Sequence, residues 1–161
     1  MKVRLFVAIL MLSFLGLASC SDEQTEVSVN YDRTGTIKGY VYTTAVNKLG
    51  EIVYDVAKNT TIYVLVPYSE LTGDPTIQGE KRFSTTTDSK GVYSIAVPAT
   101  DEGVDVTVVT ETIEGSSYSS VGGEMKPIEV YYKSQEYQVN VKAGIFSIKD
   151  ITLDYTPREV H

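Results

Sequence analysis

"FSTTTDSKGVYSIAVP", residues 83–98, is the stretch whose reading decides the fold. It holds two runs of alternating, β-favouring residues around a turn. In the second run Tyr93, Ile95 and Val97 fall in one phase and share one face of a strand. Between the runs, Asp88-Ser89-Lys90-Gly91 has turn chemistry: the aspartate opens the turn, and Gly91 supplies the positive φ that a tight hairpin requires.

The same period-2 pattern recurs on both sides. In "GTIKGYVYT" (35–43), Ile37, Gly39 and Val41 point one way and Lys38, Tyr40 and Tyr42 the other. "TTIYVLV" sets Ile62, Val64 and Val66 on one face, and "VDVTVVT" does so with Val104, Val106 and Val108. "IEVYYK" aligns Ile128, Val130 and Tyr132; "YQVNV" aligns Tyr137, Val139 and Val141; "FSIKDITLDY" aligns Ile151, Leu153 and Tyr155. Past residue 20 no segment has convincing helical periodicity, although "YSELTGD" (68–74) suits one short helical turn. Strands with one apolar face must bury those faces against each other. The expected fold is therefore all-β: a two-sheet antiparallel β-sandwich of about 7–8 strands.

The beginning of the chain carries a different signal. Lys2 and Arg4 precede an almost wholly apolar run from Leu5 to Ala18. As a helix that run would reach about 21 Å, short of the roughly 30 Å of a hydrocarbon core. It reads as a secretory leader. Leu17-Ala18-Ser19-Cys20 resembles the lipobox of bacterial lipoprotein signal peptides, which implies cleavage before Cys20 and its acylation, palmitate included. A lipid attachment point also accounts for the single cysteine, since one cysteine cannot form an internal disulfide. The acidic Asp22, Glu23 and Glu26 resemble the surface-export signal of Bacteroidetes lipoproteins; a solvated linker has the same composition. The organisation expected is a signal peptide over 1–19, lipidated cysteine and acidic tether over 20–33, β-sandwich over 34–156 and tail over 157–161. Val27 to Tyr31 alternates and could add an edge strand to the tether.

The order "GTIKGYVY", "NTTIYVLV", "FSTTTDSKGVYSIAVP", "VDVTVV" resembles the carboxypeptidase regulatory-like domain, a transthyretin-like β-sandwich also described as Ig-like. Gly35, Ile37, Gly39, Val41, Thr85, Thr87, Asp88, Gly91, Tyr93, Ile95, Val97 and Pro98 fill its pattern. The resemblance covers roughly residues 34–156; the 43–59 and 67–82 connections are longer than the pattern. It implies a non-catalytic accessory domain at the cell surface and is silent about ligand.

Residue inventory narrows the chemistry. The formal net charge is −7, and loss of Lys2 and Arg4 with the leader makes it −9, which disfavours nucleic acid as a partner. The one histidine is His161 and the one cysteine is Cys20, so Ser-His-Asp and Cys-His catalysis and Cys/His zinc sites are not expected. No cofactor is expected. A carboxylate pair could still act on glycosides, and a glycan hydrolase remains a minor alternative. Asp101, Glu102 and Asp105 form an acidic cluster whose spacing fits a solvated turn better than a calcium loop. A lysine–asparagine isopeptide through Lys38, as in Cna-B-type adhesin domains, is rejected, because Lys38 is out of phase with the core and "DITLDY" has no asparagine.

The candidate binding residues are aromatic. The chain has 12 tyrosines and no tryptophan. Tyr40, Tyr42, Tyr63 and Tyr131 are out of phase with the apolar faces and are expected on an outer sheet surface. There they would serve either as contact area for a protein complex or glycan or as cross-strand pairs. The expected role is an accessory, scaffold or adhesion module of the cell outer membrane, with the membrane engaged through the lipid anchor; the alternative is a minor subunit of a lipoprotein-type fimbria.

Overall fold

The computed structural model describes residues 32–158. The leader, Cys20, Asp22, Glu23, Glu26, the 27–31 segment and His161 lie outside the described residues. Eleven strands and one helical turn follow in order. They are β1 (Thr34–Val46), β2 (Ile52–Val56), β3 (Thr61–Pro67), α1 (Tyr68–Thr72), β4 (Glu80–Thr86) and β5 (Val92–Pro98). Then come β6 (Val104–Thr110), β7 (Ile113–Val121), β8 (Glu124–Lys133), β9 (Tyr137–Val141), β10 (Phe146–Ile148) and β11 (Ile151–Pro157).

Two sheets face each other. The smaller is antiparallel, in the order β4-β3-β6-β9; the larger has seven strands, with β10-β1-β11-β8-β7 in sequence and β2 and β5 also paired to β1. The core between them is made of the residues that the alternation selects. Ile62, Val64, Val66, Val104, Val106, Val108 and Val141 of the small sheet meet Ile37, Val41, Tyr93, Ile95, Val97, Val130, Tyr132, Ile151 and Leu153 of the large one, all buried. At roughly 25 cal/mol per Å² of apolar surface removed from water, this layer is the main favourable term in folding.

The turn at 88–91 forms as its chemistry dictates. Gly91 has φ 74°. The Asp88 carboxylate accepts the backbone N–H groups of Lys90 (2.7 Å) and Val92 (2.9 Å). These two donors hold the Asp88 carboxyl below its ordinary pKa. The short helical turn at 68–72 forms as well and ends at Gly73, with φ 70°.

The two-sheet sandwich agrees with the alternation, and three details differ from expectation. First, the larger sheet is mixed: β1 runs parallel to both β10 and β11 and antiparallel to β2 and β5. Second, the 43–59 connection contains a hairpin made by the end of β1 and β2, and "IEGSSYSSV" forms β7 against β8. Third, "FSIKDITLDY" divides at Lys149-Asp150 into β10 and β11. Eight expected strands thereby become eleven. Alternation shows which face a residue takes. It carries no information about which strand lies alongside or in which direction.

Candidate functional site

Lys149-Asp150, the break between β10 and β11, shapes the outer face of the large sheet. Here the ladder to β1 is interrupted while its register is kept, Lys38 opposite Ile148 and Val41 opposite Ile151, and three groups fix the break. Gly39 supplies room, because a β-carbon there would overlap the Lys149 carbonyl. The buried Tyr93 hydroxyl donates to that carbonyl at 2.7 Å. The Asp150 carboxylate accepts the Tyr40 N–H at 2.8 Å, replacing the carbonyl that a regular ladder would offer. Burial, and secondarily the charge of Asp150, push the Tyr93 hydroxyl well above the usual phenol range, so it remains a donor.

Residues around this break form the candidate site. Lys38, Gly39, Tyr40, Val92, Ile148 and Asp150 line an open pocket of ≈ 310 Å³, at the lower end of the roughly 300–1,000 Å³ of small-molecule sites. Tyr40 is 44% exposed and stacks on Tyr42, with ring centroids 5.9 Å apart and planes at 19°. Across β1, Phe146 and Ile148 are 64% and 74% exposed. The Lys38 ammonium lies 4.3 Å from the centre of the Phe146 ring. The face thus offers apolar and aromatic area beside one cation and one anion. Such a surface can stack a ring or an aliphatic side chain and hydrogen-bond hydroxyls or amides.

The four tyrosines do not share one face. Tyr40 and Tyr42 are together on β1. Tyr63 is on β3 in the other sheet, opposite Ser84 and Val109, so it faces solvent on the far side of the sandwich; the Arg82 guanidinium sits 5.1 Å over its ring. Tyr131 shares the large sheet but lies on β8, beyond β11 and opposite Thr156. Arg158 covers it at 5.7 Å and pairs with Glu129 (3.2 Å) and Glu114 (3.9 Å). Phase assigns these residues to outer faces; it does not say to which sheet.

Phe146, Ile148 and Asp150 are the site residues that the tyrosine-based reading omits. The signal for the first two is present: they are apolar in the outward phase of a strand whose inward phase is Ile151 and Leu153. Lys38 faces outward as its phase requires. In the acidic 101–105 cluster, Asp101 forms a two-pronged ion pair with Arg33, and Asp105 accepts from Asn140 at 2.8 Å. Among the described residues, no group of three or more His, Cys, Asp or Glu could hold a metal ion.

No protein-family model matches the chain, and no curated protein matches it significantly. Among solved structures, it is similar to a candidate carbohydrate-binding protein from Pseudomonas aeruginosa, with 15% identity, a TM-score of 0.45, and coverage of 78% of this chain and 92% of that one. It is also similar to the major plantain pollen allergen, with 13% identity, a TM-score of 0.38, and coverage of 76% and 92%. At these values neither likeness carries functional meaning.

Proposed function

We propose that this chain is a non-catalytic lipoprotein of the bacterial outer membrane, anchored through acylated Cys20, whose β-sandwich binds a glycan or a surface protein on the outer face of the seven-stranded sheet. The observation that carries the binding role is the strip formed by exposed Phe146, Ile148 and Tyr40, with half-buried Tyr42 stacked on Tyr40, around the Lys38–Asp150 pocket. Soluble sheets usually turn polar residues outward, and a contiguous apolar patch rimmed by charge marks a contact site. Stacked tyrosines are rigid, amphipathic contact area, the kind that carries most of the energy at binding hot spots. The lipobox at 17–20 supports the anchor, and the resemblance to carboxypeptidase regulatory-like domains supports an accessory role without catalysis.

The test is a double substitution, Tyr40→Ser with Tyr42→Ser, in the full chain. Loss of a hot-spot residue costs about 2 kcal/mol or more, roughly 30-fold in affinity. Capture on a glycan array or from envelope extracts should fall by at least that factor, with a small change in melting temperature. Tyr63→Ser and Tyr131→Ser, which alter other surfaces, should leave capture intact. Capture that survives the double substitution refutes the site.

A further inference from the structure

β2 is a strand with an open edge and little to guard it. Among the described residues it pairs with β1 alone. The hydrogen bonds Asn47 N–H to Glu51 C=O and Ala57 N–H to Val41 C=O fix the ladder's phase. In that phase Thr43 and Ala45 exchange bonds with Asp55 and Val53, whereas Thr44 lies opposite Tyr54, and Val46 opposite Ile52, without bonding. The N–H and C=O groups of Ile52 and Tyr54 therefore point away from β1, to the open side.

The side chains of β2 are exposed on both faces: Ile52 is 67% and Tyr54 69% exposed, and Val53 is exposed as well. Natural edge strands are protected by charge, proline or bulges. β4, an edge of the other sheet, carries Glu80, Lys81 and Arg82. β2 carries one charge, Asp55, and that carboxylate is turned back onto the Val56 N–H at 2.8 Å. The arm is also held in shape at its tip, where Asn47 Oδ1 accepts the N–H groups of Leu49 (2.8 Å) and Glu51 (3.0 Å).

We propose that β2 pairs antiparallel with β2 of a second copy of this chain, on a two-fold axis at Tyr54. The choice of a second copy follows from self-complementarity. With Tyr54 opposite Tyr54, the two exchange both backbone bonds, and Ile52 N–H reaches the Val56 carbonyl of the second copy. Four bonds form without disturbing the Asp55–Val56 contact. Asp55 falls opposite Val53, so no like charges oppose, and Glu51 comes to the end of the strand that Lys58 of the second copy follows. Ile52 and Tyr54 line one face of the joined strands. Such an isologous contact closes at two copies and does not propagate into a fibre.

The test uses the full chain in detergent. Sedimentation should show a dimer. Tyr54→Cys should form a disulfide-linked dimer under mild oxidation, because Cα atoms in a hydrogen-bonded antiparallel pair lie about 5.5 Å apart, within disulfide reach. Wild type, with Cys20 alone, and Leu49→Cys, far from the axis, should not link. Tyr54→Lys would set two ammonium groups against each other and should weaken the dimer by ~10-fold or more. A monomer at the highest soluble concentration, or equal linking at 49 and 54, overturns the proposal. So does cross-linking of position 54 to a different protein with no 54–54 product. Circular dichroism of each variant confirms that the sandwich is intact.

Discussion

Gly39 shapes the candidate site by having no side chain. Gly39→Ala would force the Lys149 carbonyl away and is expected to destabilise the domain by about 1–3 kcal/mol, as overpacking does; urea unfolding measures it. Gly91 is constrained twice. Its φ of 74° disfavours a β-branched residue, and a β-carbon would meet Val56 Cβ at 2.8 Å. Gly91→Val should therefore cost more than about 1 kcal/mol, read as a lowered melting temperature. Tyr93→Phe removes the bond to Lys149 and should cost about 0.5–1.5 kcal/mol. It has a pH signature too. The Tyr93 pKa is raised in the fold. Its contribution is therefore fully present below the unfolded phenol value of about 10 and is lost as pH climbs above it. Wild type should lose stability through that window more steeply than Tyr93→Phe.

At the scale of elements, β3, β5 and β6 were legible because they are buried on one face, so valine and isoleucine recur at every second position. β2 and β7 were not. β2 buries neither face fully, and its "IVYDV" has no alternation to detect. β7 is serine-rich and buries chiefly Ser117. That residue has a structural task, since its hydroxyl accepts the Val46 N–H at 2.9 Å and ties the β1–β2 arm to β7. Ser117→Ala would strand this N–H and should cost about 1–3 kcal/mol. Hydrogen exchange would show the loss first at Val46 and along the arm. The candidate site was half legible. Tyr40, Tyr42, Phe146 and Ile148 can be placed outward by phase. Asp150 cannot, because its role depends on the close approach of Lys149 that Gly39 permits, on a strand about 110 residues away in sequence.

At the scale of the whole molecule, the proposed anchor decides where the sandwich works. Cys20→Ser should move the protein from the membrane fraction to the soluble fraction and remove lipid mass from it. Unchanged membrane retention, with no lipid on the wild type, would refute the anchor. The topology of the large sheet then has a mechanical consequence. β1 begins at Thr34, immediately after the expected tether, and runs parallel to β10 and β11. A pull on the chain ahead of Thr34, resisted by a partner held on Phe146 and Ile148 of β10, would load the bonds between β1 and β10 side by side and in shear. They share the force, where a hairpin pulled from its open end would give way one bond at a time. With the proposed anchor and binding face, this topology would let the domain hold under tension.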